Sequence, residues 1–426
     1  MKKKVLVISY TALMASTPNG RTMQSLLQGI PAENLSLVCC YGIPDKGSCG
    51  SCYKISNKDA LNSLLRPNST GQIVDVSIDR DSGAELKKDR RTGPRKAWKY
   101  LTKELIWLLG RWKNKQFNTW LHSQNVDCVV YMYGDQASIQ NLAVYASKKL
   151  DVPLIVYSCE EYCLKDYNYI DGKKRSPWFY VYQKLSRGAT RNLFRRASGL
   201  IVNSDKLGRE LKEKYAFENV ATVMMASQME YIRNGDVKNV EDTKVSFLGS
   251  LGVARIKALT EIGDALQKID PCLKLDVYGR TTDVLKEKLE SCPGVRYHGF
   301  VSYEEVQRVM RNSALLIETI TNEPYINMNK RYGFSTKYAD CFACGTPLLV
   351  YASEEIIETS FALEHNCAFV SSSIDTLEET LRMALFDADA RNKQLDAAKK
   401  VTEKYFNKEK NIQTVAAMLN GEMVEN

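Results

Sequence analysis

The stretch Tyr332–Pro347, YGFSTKYADCFACGTP, runs from a turn into a helix that carries Lys337 and, in its middle, Asp340. A Gly-Thr-Pro stop follows, and then LLVYA, a short apolar run of the kind that makes a buried parallel strand. A helix start at the carboxyl edge of such a sheet leaves backbone N–H groups unpaired and points its positive dipole end outward, so it favours phosphate. The expected ligand is a nucleotide or a sugar phosphate. A second turn, Pro18-Asn19-Gly20-Arg21-Thr22, follows the first apolar run and opens a helix, where a glycine lets a sugar or phosphate come close to the backbone. Asp135, after Tyr133-Gly134, is placed to serve as a general base or to hydrogen-bond an acceptor, and so are Glu160 and Glu161. His298 lies inside a strand and reads as structural. No metal site is expected: the pairs Cys49/Cys52 and Cys341/Cys344 have zinc-like spacing, but the second falls inside the helix just described.

The elements that must hold these residues alternate strand and helix. Val5–Ser9, Leu35–Tyr41, Asp127–Met132, Val152–Tyr157 and Ser198–Asn203 read as strands, and Ser204 is placed to cap the helix DKLGRELKEKY. The region 42–57 reads as loop. The chain turns polar over 230–243, and the alternation then resumes from Lys244. The pattern predicts an α/β fold of two Rossmann-like parallel domains facing a cleft: an acceptor-side domain over 1–229, a linker over 230–243 and a donor domain over 244–400. A helix over 401–426 is expected to return toward the first domain. Ligands of such sheets bind outside the carboxyl ends of the strands.

The chain has 426 residues with 44% hydrophobic and 26% charged composition, ordinary for a soluble protein. MKKKVLVISY reads as a first buried strand and not as a signal peptide, and no run is long enough to cross a bilayer, so a cytoplasmic chain is expected. Twelve cysteines, several within apolar segments, fit reduced thiols. Of the net charge of +9, a net +8 falls between Arg80 and Lys115. There Trp98, Trp107, Trp112 and Trp120 are interleaved with cations, a pattern that suits a membrane interface or a partly buried flanking helix. Segment 95–120 is thus a candidate membrane-surface contact at the inner face of the plasma membrane. Nucleic acid is not an expected partner, since no groove-reading or base-stacking module is recognisable.

The second half resembles the donor domain of GT-B glycosyltransferases, most closely glycosyltransferase family 4, whose pattern here is roughly E-G-F-G-x-P-x-x-E-A-M-A-C-G-T-P. Gly333-Phe334 and Ala343-Cys344-Gly345-Thr346-Pro347 match it, and Asp340 stands at the second family Glu. The resemblance implies that Asp340 binds the ribose hydroxyls. Tyr332 departs from the pattern where the first family Glu contacts the sugar. Lys337, in place of the family proline, resembles a variant of bacterial surface-polysaccharide transferases. FLGSLGVARIK resembles the first strand and glycine turn of the donor domain, which gives Gly249, Arg255 and Lys257 the diphosphate. LDVYGR and VRYHGFVS resemble the next two strands, which puts Arg280, Phe300 and Val301 near the base and diphosphate. PLIVYSCEEY resembles a strand whose end often carries a His, absent here. SGLIVNSDKLGREL resembles the strand and helix before the linker.

What the resemblance implies is transfer of a sugar from a nucleotide diphosphate donor to a glycan or polyprenyl-linked glycan acceptor in capsule or exopolysaccharide assembly. Retention of configuration is implied, with no cofactor, the nucleotide sugar being a substrate. Two other readings stay open at this point: an inactive sugar-nucleotide-binding partner of an assembly complex, and a nucleotide-sugar isomerase or epimerase on the same fold.

Overall fold

The structure is a computed structural model and describes residues 3–66, 70–77, 95–172, 176–227, 229–233 and 244–424. It divides into two compact units, one of Met1–Val223 with Glu409–Asn426 and one of Met224–Lys408. Of the expected linker, 234–243 lie outside the described residues, as do 80–94 of the basic segment.

Among the described residues, the first unit is built on eight strands: β1 (Val5–Thr11), β2 (Leu35–Tyr41), β3 (Ser51–Lys54), β4 (Gln72–Val74), β5 (Cys128–Met132), β6 (Leu154–Ser158), β7 (Gly199–Val202) and β8 (Val220–Thr222). Their order is β4-β3-β2-β1-β5-β6-β7-β8, with only the β3/β4 pair antiparallel. β5 and β6 are buried along their whole length, as a parallel sheet covered on both faces requires. Ser204 accepts a hydrogen bond from the Leu207 N–H, the cap its position predicts. β3 corrects the loop expected over 42–57. Its short SCYK run lacks an apolar pattern, but it pairs with β2 and seats Tyr53 in the core. The Lys408–Asn420 helix places Val415, Met418 and Leu419 in this unit's core, and Lys3 Nζ donates to the Leu419 carbonyl at 2.7 Å.

Among the described residues, the second unit has six strands, all parallel: β9 (Val245–Leu248), β10 (Leu275–Tyr278), β11 (Val295–Gly299), β12 (Leu315–Thr319), β13 (Leu348–Tyr351) and β14 (Phe369–Ser371). Their order is β11-β10-β9-β12-β13-β14. Successive residues alternate between two cores. Leu316, Leu348 and Val350 enter one, while Leu315, Ile317, Leu349 and Tyr351 enter the other. Gly345 ends the Tyr338–Ala343 helix turn at φ +73°, and a Cβ there would lie 1.6 Å from the Ile232 carbonyl oxygen, so no other residue fits.

Candidate functional site

Strand order in the second sheet reverses between β9 and β12, and the crevice outside the carboxyl ends at such a switch is where parallel sheets bind ligands. Gly249 ends β9 and Thr319 ends β12. Arg255 lies in the first turn of the Val253–Ile269 helix, and Lys337 is the N-cap of the Tyr338–Ala343 helix. The Arg255 Nε donates to the Thr319 carbonyl at 3.0 Å, and its Nη1 donates to the Ser250 carbonyl at 2.8 Å and hydroxyl at 3.1 Å. Lys337 Nζ lies 2.5 Å from Glu318 Oε2. Both cations approach one ring: Lys337 Nζ is 5.0 Å and the Arg255 guanidinium 5.8 Å from the Phe247 centroid. A Cβ on Gly249 would come within 3.0 Å of Lys337 Nζ, so the ammonium stands directly against this glycine. Burial pulls the Lys337 pKa down, the neighbouring Arg255 adds to the fall, and Glu318 opposes it. The result is a compact pair of cations at a strand end, arranged to meet an anion.

Asp340 stands one turn further along the Tyr338–Ala343 helix. Its Oδ1 accepts from the Ser227 hydroxyl at 2.7 Å and its Oδ2 from the Tyr303 hydroxyl at 3.2 Å. Two hydroxyls already lie on this carboxylate, which is the chemistry a vicinal diol would bring.

Other expected donor residues do not join this group. Lys257 is 69% exposed and pairs loosely with Glu261 at 3.9 Å. The segment that holds it is helical, and two residues along a helix turn a side chain off the Arg255 face, so the basic pair is split. Phe334 is buried, with ring centroids 5.6 Å from Tyr338 and 5.1 Å from Phe361. Tyr332 is also buried, with the Arg331 guanidinium 5.7 Å from its ring, and Gly333 links these two buried rings. Val301 packs partly buried at the core edge. Arg280 stacks 3.9 Å from the ring of the exposed Phe300, and its carbonyl accepts from the Leu251 N–H at 3.2 Å, which ties it to the turn after β9.

In the first unit the switch lies between β1 and β5. The Pro18–Leu26 helix already contains the expected glycine turn. Gly20 is pressed against the chain, since a Cβ would lie 2.2 Å from the Met14 carbonyl oxygen, while Asn19 and Arg21 face solvent on the same turn. Asp135 follows β5. Burial raises its pKa, while hydrogen bonds from Tyr182 and Tyr169 hold it back. Glu161 is only 2% exposed and pairs with Lys165 at 3.0 Å. The Lys165 ammonium in turn lies 5.0 Å over Tyr162 and 5.5 Å over Tyr169. Glu161 thus stands as a buried carboxylate paired with Lys165. The Glu160 carbonyl accepts from Ser158 Oγ at 3.0 Å.

Sequence reasoning missed Glu318, Phe247, Ser227 and Tyr303. A glutamate inside the otherwise apolar run LLIET was the available signal for Glu318, because a fully buried carboxylate needs a partner. Ser227 and Tyr303 reach Asp340 from 113 and 37 residues away, and nothing local announces that. Among the described residues, no three His, Cys, Asp or Glu side chains gather as a metal-holding group.

Residues 256–417 match a protein family described as glycosyl transferase-like. No curated protein matches the chain. Among solved structures, HepE of Anabaena with UDP-glucose is 13% identical over 98% of this chain and 99% of that one, with a TM-score of 0.57. The apo lipopolysaccharide outer core galactosyltransferase WaaB is 12% identical over 97% of this chain and 99% of that one, with a TM-score of 0.59. TarM of S. aureus is 14% identical with a TM-score of 0.52, over 71% of this chain but only 57% of its own. The two parallel α/β units give the chain the same two-domain fold as these proteins, and its second unit carries a glycosyl transferase-like segment over residues 256–417.

Proposed function

We propose that the chain transfers a sugar from a nucleoside diphosphate donor to a glycan or lipid-linked glycan in cell-surface polysaccharide assembly, with retention at the anomeric carbon and without a metal. The observation that carries the transfer is the Arg255/Lys337 pair at the β9/β12 switch, with the Asp340 carboxylate one helical turn away. A diphosphate leaving group gains charge as the glycosidic bond breaks, and fixed cations aimed at that charge lower the barrier. Arg255, held by three hydrogen bonds, and Lys337, held by Glu318, are oriented before a donor arrives. Asp340 exchanges the Ser227 and Tyr303 hydroxyls for those of a ribose. HepE, solved with UDP-glucose, supports a uridine diphosphate sugar as the first donor to try, and WaaB, a lipopolysaccharide galactosyltransferase, supports a surface-glycan acceptor.

The test is incubation with a panel of nucleotide sugars, with and without membrane lipid extract, followed by measurement of released nucleoside diphosphate and of the glycoside formed. Buried Tyr332, where the family places a sugar-binding Glu, favours a second reading as a donor-binding partner without turnover. Donor binding with no release on any acceptor would select that reading.

A further inference from the structure

Among the described residues, the first unit carries an apolar face that nothing covers. Along the Ala97–Leu109 helix, Trp98, Leu105, Leu108 and Leu109 point outward, with Leu108 71% exposed. Along the Pro177–Arg196 helix, Trp178, Val181 and Leu185 do the same at helical spacing, with Trp178 56% exposed. Patches of this kind on soluble surfaces mark an interaction site. With the Ala137–Leu150 helix they border a groove of about 900 Å³ whose walls include Leu105, Leu108, Val144, Val181 and Leu185.

The charge around the groove selects its occupant. The three helices carry nine Lys and Arg side chains and one carboxylate, Glu104. Glu104 is turned inward, where its oxygens accept from the Ser138 N–H at 2.7 Å and hydroxyl at 3.3 Å. Lys113, Lys148 and Lys184 line the same groove and are exposed. Lys113 Nζ lies 5.0 Å over both the Trp112 and Tyr145 rings, so its stem covers aromatic surface while its charge reaches outward. Apolar walls with three lysines, and one carboxylate, Glu104, engaged by Ser138, match a hydrocarbon chain that ends in a phosphate. A second copy of this chain would bring the same cations against the same face, and like charges repel.

We propose that this groove binds an anionic lipid, with a hydrocarbon chain against Leu105, Leu108, Val181 and Leu185 and the phosphate among Lys113, Lys148 and Lys184. The inference does not rest on sugar transfer, because lipid binding needs neither donor nor acceptor. The groove lies partly within the expected 95–120 contact, and Trp107 and Trp112 are among its lining residues. Trp107, Trp112 and Trp120 are core residues, and their indole N–H groups donate to Asn57, the Trp107 carbonyl and Ser51.

Flotation of the full chain with phosphatidylcholine vesicles, with and without phosphatidylglycerol, tests the proposal. The expected result is binding to the anionic vesicles only, weakened about a hundredfold when Lys113, Lys148 and Lys184 are changed together to Gln. Val144→Trp, which fills the groove and leaves the rim charges in place, should also weaken it, with an unchanged thermal melt showing that the fold survives. Absence of flotation on anionic vesicles, or flotation of the lysine and groove variants equal to that of the parent chain, would overturn the proposal. So would a dimer in light scattering that Leu108→Asp dissociates while vesicles bind nothing.

Discussion

Burial lowers the Lys337 pKa, with Glu318 as its counter-ion and Arg255 as a like-charged neighbour. Replacing Lys337 by Met should lower kcat/KM for the donor by about a hundredfold to a thousandfold, the loss typical of one fixed group facing developing charge. A diphosphate binds the protonated ammonium, and that form is lost as pH rises through a pKa lying below that of an ordinary lysine. Affinity for a nucleoside diphosphate should therefore fall on the alkaline side in calorimetric titrations. Lys337→Arg should abolish the fall, because guanidinium does not titrate there. Glu318 acts through Lys337. Glu318→Ala leaves a largely desolvated ammonium unpaired and should destabilise the second unit by about 3 kcal/mol in denaturant unfolding. A Glu318→Ala chain as stable as the parent would remove the ion pair from the account.

Among the elements, the Ala137–Leu150 helix has no side-chain cap of its own, and Glu104 from the Ala97–Leu109 helix takes the Ser138 N–H in its first turn. Burial pushes the Glu104 carboxyl from 4.5 up to about 7. Between those values the unfolded chain has released the proton and the folded chain still holds it. Stability from this group is therefore full below pH 4.5 and declines as pH rises toward about 7. Glu104→Gln should flatten that part of the stability profile, which paired denaturant melts of the two proteins across the window would show. Most strands were legible in the sequence because a parallel sheet buried on both faces needs continuous apolar runs, as in CVVYM and LIVYS. β3 was not, because SCYK owes its strand state to its neighbour β2. The tryptophan pattern was legible as amphipathic but not as to which side is inward. The helix stops at Gly110, and Trp112 and Trp120, beyond that break, turn into the core.

For the whole molecule, the sequence made the duplicated architecture visible through the return of strand-helix alternation after the polar stretch. Strand order was not visible, and strand order is what makes the β9/β12 crevice a site. Gly249, Arg255, Glu318 and Lys337 come from three separate segments, and only the sheet brings them together. Leaving-group charge in this account is met by those side chains alone, so chelation with EDTA should leave turnover within about twofold. The central claim is that this crevice activates a nucleoside diphosphate sugar. Release of nucleoside diphosphate from a donor panel, measured for the parent chain and for Lys337→Met with membrane lipid present, tests it most directly. The account predicts release from at least one donor, with a new glycoside on the lipid, and near-complete loss in the variant. Equal release by both proteins, or no donor bound or consumed by the parent, would contradict it.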